Sequence, residues 1–172
     1  MTCIAGIMKD GKVYLAAERG ASEGNYIVPI DKPKIWKSGP YIFGFAGTFD
    51  GQIIQYNFTP PPPEANADKF MHGKFLKSIK AFYNEWEIGG KDSELSLLIG
   101  LKGKLYEHDT SDLTLVSYER DFIAIGSGAD YAMGSLYSTQ SHKDPKRRLT
   151  LALNAAITYS TSCIGPIDIL SA

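Results

Sequence analysis

Cysteine is scarce. The 172-residue chain has only Cys3 and Cys163, both in apolar or small-residue surroundings and without the spacing of metal ligands. Histidine is nearly as rare: His72, His108 and His142 fall on a helix, a strand end and a loop. No pair of them has ligand spacing, so neither a metal nor a cofactor is expected. Ser-His-Asp chemistry lacks its nucleophile elbow. An excess of either charge is also missing, and a net charge of −1 gives no electrostatic footprint for nucleic acid or an anionic membrane. The one basic run, 143–148, is short, carries Asp144 and reads as a solvated helix start. No apolar run approaches the length of a membrane span, and no secretory n-region and h-region are present. These absences lead us to expect a cytoplasmic chain with free thiols. No internal repeat divides it, and 1–172 is expected to be one domain.

What is there is organised in hairpins. Apolar runs at 4–8 and 13–17 flank Lys9-Asp10-Gly11-Lys12, and Asp-Gly is a strong hairpin signal. A polar, glycine-bearing connection over 18–25 precedes a short run at 26–30. Residues 41–45 read as a buried strand entering Ala46-Gly47-Thr48, after which Phe49, Ile53, Ile54 and Tyr56 recur at near-helical spacing. The Pro60–Pro63 tetrad stops that helix and acts as a rigid spacer. A long amphipathic helix is expected over 64–86, ended by Gly89-Gly90. Runs at 95–101, 105–108 and 113–118 read as a meander, and 122–125 as a strand breaking at Gly126-Ser127-Gly128. Helices are expected over 129–138 and 145–160, the second with Asp144 as cap and Pro145 in its first turn. A strand at 167–170 follows. Strands in hairpins with paired helices between them indicate α+β layers rather than alternating βαβ units.

The opening MTCIAGI places an apolar strand directly after Thr2, which puts position 2 at the mouth of something buried. If Met1 is removed, Thr2 becomes a hydroxyl nucleophile with its own free amine; a retained Met1 blocks that amine. An unperturbed α-amine has a pKa of about 7.7–8.0, so it is partly neutral near pH 7 and able to take the hydroxyl proton. A neighbouring cation would depress the amine further, and a glycine-turn N–H would supply an oxyanion donor. Folding the first hairpin about Asp10-Gly11 puts Glu18 opposite Thr2 or Cys3. Lys34, after Pro33 and before Ile35-Trp36, is placed to point its ammonium inward. Glycine turns occur at Gly47 and at Gly126-Ser127-Gly128.

The stretches MTCIAGI, KVYLAAER, DKPKI, GFAGT and IAIGSGADYAMGSLY, in this order and spacing, resemble the N-terminal-nucleophile hydrolases of the proteasome β-subunit type. YNFTPPP and GPIDIL look closest to a compact bacterial or phage-borne subgroup. The resemblance spans nearly the whole chain. It implies a four-layer αββα sandwich, two antiparallel sheets packed face to face with helices outside. It implies a peptidase working through an acyl-enzyme ester, with Thr2 as nucleophile and Lys34 tuning its amine and hydroxyl. Gly47 would supply the oxyanion N–H and Ser127 a partner beside the N-terminus. The acid that orients the lysine falls on Glu18, where the family usually has Asp; with its extra methylene, contact requires the backbone or lysine to shift. A second supporting Asp falls on Ser160, and Ser162 or Cys163 takes the place of a following serine. Assembly into homo-oligomeric rings and peptide or unfolded-protein substrates are implied as well. No residue set encodes docking of an ATPase partner. Two other functions fit the same residues: a catalytically silent ring subunit, and a small-amide hydrolase that is not a peptidase.

Overall fold

In the computed structural model, which describes residues 2–23 and 25–172, Asp10 and Gly11 both take positive φ, 52° and 72°. That is the twist a two-residue hairpin turn needs, and it joins β1 (Ile4–Lys9) to β2 (Lys12–Glu18). The register pairs Ile4 with Ala17 and so brings Cys3 opposite Glu18. Residues 18–25, expected as a connection, instead contain β3 (Gly20–Glu23), which pairs with β4 (Tyr26–Pro29) in a separate hairpin. Backbone pairing there overrides a polar composition that carries little strand propensity.

β5 (Ile35–Ser38) and the wholly buried β6 (Tyr41–Ala46) lead into α1 (Asp50–Asn57). After the prolines, the expected long helix begins at α2 (Ala67–Phe70), capped by the Asn66 side chain, and widens through a π-helical turn, Met71–Phe75. It continues as α3 (Leu76–Trp86), which ends on left-handed Glu87 before either glycine. The meander is β7 (Ser96–Leu101), β8 (Lys104–Asp109) and the two-residue β9 (Leu115–Val116). Then come β10 (Phe122–Ile125), α4 (Ala129–Ser138), α5 (Pro145–Tyr159) and β11 (Ile167–Ser171). Asp144 caps α5 through the Lys146 N–H at 2.9 Å. Arg148 departs from the expected solvated run: it is buried, lies over the Phe122 ring and donates to the Leu136 carbonyl. Its long apolar stem makes that burial tolerable.

The sheets run β10-β1-β2-β11 and β5-β6-β7-β8-β9, with every pairing antiparallel. Three apolar clusters give the layers. Ile4, Val13, Leu15, Ile42 and Leu98 fill the space between the sheets. Phe43, Phe75, Ile79 and Leu97 join the five-stranded sheet to α1–α3. Ala5, Ile7, Leu149 and Leu153 join the four-stranded sheet to α4 and α5. The order is helix, sheet, sheet, helix: the αββα sandwich. No helix among the described residues is long and apolar enough to cross a membrane.

The core also holds a histidine. His108 is fully buried on β8, its Nδ1 2.6 Å from the Thr114 carbonyl and its ring stacked on Tyr83, while Nε2 has no hydrogen-bond partner among the described residues. Burial pulls its pKa below the usual histidine value. As pH falls through about 6.5 the unfolded chain takes up this proton first. Stability is therefore full above that pH and is lost from there down to the folded-state pKa. Between pH 7.5 and 5.5, urea denaturation should show a fall in stability from this group. His108→Asn should remove it.

Candidate active site

The site lies where the front of β1, the end of β2 and the turn after β10 converge. Gly126, at φ 90°, comes so close to the Thr2 carbonyl that a Cβ there would lie 2.3 Å from its oxygen. Gly128 donates its N–H to that oxygen at 3.1 Å, and Ser127 Oγ donates to it at 3.4 Å. With its carbonyl clasped this way, Thr2 is buried and directs its backbone nitrogen to Ser127 Oγ at 3.1 Å. Removal of Met1, on which the nucleophile reading depends, lies outside the described residues.

Lys34 sits just before β5, with 1% of its surface exposed. Its Nζ donates to Thr2 Oγ1 at 2.7 Å, Glu18 Oε1 at 2.6 Å and the Gly20 carbonyl at 2.5 Å. Three acceptors satisfy the three N–H bonds of an ammonium. Burial lowers the Lys34 pKa, and the Glu18 carboxylate opposes that shift. Because Lys34 fills an acceptor site on Thr2 Oγ1, the hydroxyl proton is left to point elsewhere.

Glu18 is entirely buried, and four donors meet its carboxylate. Oε1 accepts from Lys34 Nζ and from the Cys3 N–H at 3.3 Å. Oε2 accepts from the Gly20 N–H at 2.5 Å and the Ile164 N–H at 3.1 Å. The longer acid thus makes the lysine contact directly, and its reach is used to tie β3 and the segment before β11 to the site. Next to it, Arg19 grips Asp168 of β11 through both carboxylate oxygens, at 2.6 and 2.7 Å, and donates to the Asp31 carbonyl in the loop that carries Lys34. The sequence reading did not include this fork. Nothing local pairs Arg19 with Asp168; only the β2–β11 register, Ile167 opposite Glu18, brings them together.

Gly47 follows β6 at φ 102°, and a Cβ there would lie 1.9 Å from the Glu94 carbonyl oxygen. Only glycine fits. It lines a cavity of about 290 Å³ together with Thr2, Lys34, Phe45, Thr48, Phe49 and, from β3, Ala21 and Ser22.

Ser160 ends α5 and joins the site through Ser162. Its Oγ is 2.7 Å from Ser162 Oγ, which is 2.8 Å from Ser127 Oγ. Of Ser162 and Cys163, it is Ser162 whose side chain bonds to Ser127. Cys163 turns instead into the cluster that holds Cys3, and both thiols are free. Burial raises the pKa of each, which keeps them protonated and poor nucleophiles beside Thr2.

No family model matches the chain. Proteasome subunit beta 1 of Hyperthermus butylicus is 30% identical over 183 residues, covering 96% of this chain and 85% of the relative. The ATP-dependent protease subunit HslV of Treponema denticola is 28% identical over 147 residues, covering 78% of this chain and 74% of the relative. Among solved structures, Thiobacillus denitrificans BPH in complex with epoxomicin superposes with a TM-score of 0.77 at 17% identity, over 99% of this chain and 98% of that one. Eukaryotic HslV from Trypanosoma brucei gives 0.74 at 19% identity, with the same coverage. At such identities the structural likeness establishes the fold.

Proposed function

Because the chain belongs to the N-terminal-nucleophile hydrolases of the proteasome β-subunit type, we propose that it is a threonine peptidase whose nucleophile is Thr2 Oγ1, activated once Met1 is removed. The observation that carries this reading is the buried Lys34 ammonium 2.7 Å from Thr2 Oγ1, at the wall of a cavity bordered by Gly47.

The chemistry runs in two halves. The Thr2 α-amine takes the hydroxyl proton as Oγ1 attacks the substrate carbonyl, and Lys34 steadies the charge growing on Oγ1. The Gly47 N–H stabilises the oxyanion. The protonated amine gives its proton to the leaving nitrogen, the C–N bond breaks, and an ester on Thr2 remains. Water then attacks the ester, the amine takes one of its protons, and return of a proton to Oγ1 releases the acid. Glu18 keeps Lys34 charged and in place. Homo-oligomeric rings with the cavity facing an inner chamber, and unfolded polypeptide as substrate, belong to the same proposal.

Intact mass of protein from its native cell should show Met1 absent. A threonine-directed electrophile such as an epoxyketone should then add one equivalent, which peptide mapping locates at Thr2. Retention of Met1 would favour the silent ring subunit. Labelling at Thr2 with turnover of small amides but not peptides would favour the small-amide hydrolase.

A further inference from the structure

We propose that Arg19 is a positioning residue for the reaction: it pins the loop 30–34 to the end of β2 and to β11, and so sets where the Lys34 ammonium meets Thr2 Oγ1. This rests on the reading of Thr2 as nucleophile. Arg19 uses each of its polar atoms. Its N–H donates to the Ile164 carbonyl at 3.2 Å, and its carbonyl accepts from the Ile30 N–H at 2.8 Å. Nε and Nη2 take the two carboxylate oxygens of Asp168, and Nη1 donates to the Asp31 carbonyl at 2.7 Å. One residue thus fixes two successive positions of the loop, Ile30 and Asp31, against the two strands beside it.

The loop depends on such ties. Residues 30–34 belong to no helix or strand, so no ladder of backbone bonds sets their path. At the far end, the Lys34 carbonyl accepts from the Phe45 N–H of β6 at 3.1 Å. The lysine therefore stands between two anchors, Arg19 behind it and β6 ahead. The Asp31 carboxylate meets Lys32 at 3.2 Å in open solvent, a pair that fixes little. The Arg19–Asp168 fork is better shielded, with 23% and 20% of the two side-chain surfaces exposed. Two parallel N–H bonds also define an orientation, and lysine cannot reproduce that geometry.

Glu18 and Arg19, consecutive in the chain, thus hold different parts of the same residue. Glu18 binds the Lys34 head group, while Arg19 fixes the backbone that delivers it. Without the fork the ammonium keeps its acceptors, but the loop is free to draw it back from Oγ1. Misplacement by about 1 Å can cost a catalytic contact about 100-fold in rate; a partly slackened loop should cost less. The Lys34 cation also disfavours a proton on the Thr2 amine. The other groups near Thr2 are the Glu18 carboxylate and the thiols of Cys3 and Cys163, which burial keeps protonated.

The test uses Met1-free full-length protein. Arg19→Met should lower kcat about tenfold with KM within about threefold, and Arg19→Lys should recover little of the loss. Asp168→Asn should lower kcat about threefold, and the double variant should match Arg19→Met, because both changes act through one fork. As the cation recedes, the amine pKa should rise by about 0.3–0.5 unit, carrying the acidic limb of kcat/KM with it. The pH dependence of carbamoylation by cyanate reads the same pKa without turnover. Arg148→Met is the control for lost stability: Arg148 is buried over Phe122 and bonded to the Leu136 carbonyl, away from the loop. It should keep the parent's kcat and amine pKa. The role of Arg19 is overturned if folded Arg19→Met keeps both, or if Arg148→Met loses as much. The two readings part in the parent. A parent that neither hydrolyses peptides nor labels at Thr2 removes the peptidase reading, while an unmoved amine pKa and kcat in Arg19→Met from an active parent remove Arg19 alone.

Discussion

Thr2→Ala should reduce kcat/KM for peptide hydrolysis by about 10⁴-fold or more, to a level set by binding and the oxyanion donor alone. The change removes Oγ1 and leaves the clasp on the Thr2 carbonyl, made by the N–H of Gly128 and the hydroxyl of Ser127, untouched. Circular dichroism should therefore match the parent, while the denaturation midpoint should fall modestly because the buried Lys34 ammonium loses one of its three acceptors. Thr2→Ser restores a hydroxyl on the same atom path and should recover most of the rate. It loses only the methyl that limits the rotamers of the hydroxyl. Epoxyketone labelling should vanish in the alanine variant and persist in the serine variant. Unchanged hydrolysis by Thr2→Ala would refute the peptidase mechanism outright.

Breaking the Glu18–Lys34 pair should have the next largest effect, on stability and rate together. The two groups are 2.6 Å apart, with 0% and 1% of their side-chain surfaces exposed. Removing the acid leaves a buried ammonium with only the Thr2 hydroxyl and the Gly20 carbonyl as acceptors. Glu18→Ala should cost about 3–5 kcal/mol by urea denaturation. Lys34→Met should cost less, because Glu18 keeps three backbone N–H donors. The double variant should cost less than the sum of the single changes, since each removes what the other leaves unpaired. Hydrolysis should be lost in all three. That separation distinguishes a pair that merely holds the fold from one that also serves the chemistry: Lys34→Met retaining a rate within about tenfold of the parent would remove Lys34 from the mechanism.

Local chemistry made several elements legible. Asp10-Gly11 and Lys102-Gly103 each take positive φ at both residues; the first closes the expected opening hairpin and the second joins the first two strands of the expected meander. The Asp144-Pro145 start of α5 and the strand at β10 follow from capping and apolar patterning in the same direct way. The misses share a cause. β3 is held by its pairing with β4, and the break in the long helix at Met71–Phe75 is a change of backbone winding that apolar spacing does not announce.

The linear order of residues determined the first hairpin's register, and with it that Glu18 faces the residues beside Thr2, because a two-residue turn admits one alignment of its arms. It also carried the family likeness, spread over short stretches that are weak singly. Tertiary structure alone decided which of Ser162 and Cys163 bonds to Ser127, how Glu18 uses its extra reach, and that Arg19 is gripped by Asp168. Those contacts join segments 35 to 149 residues apart, and their geometry depends on how two sheets and their helices settle against one another. No local preference encodes that.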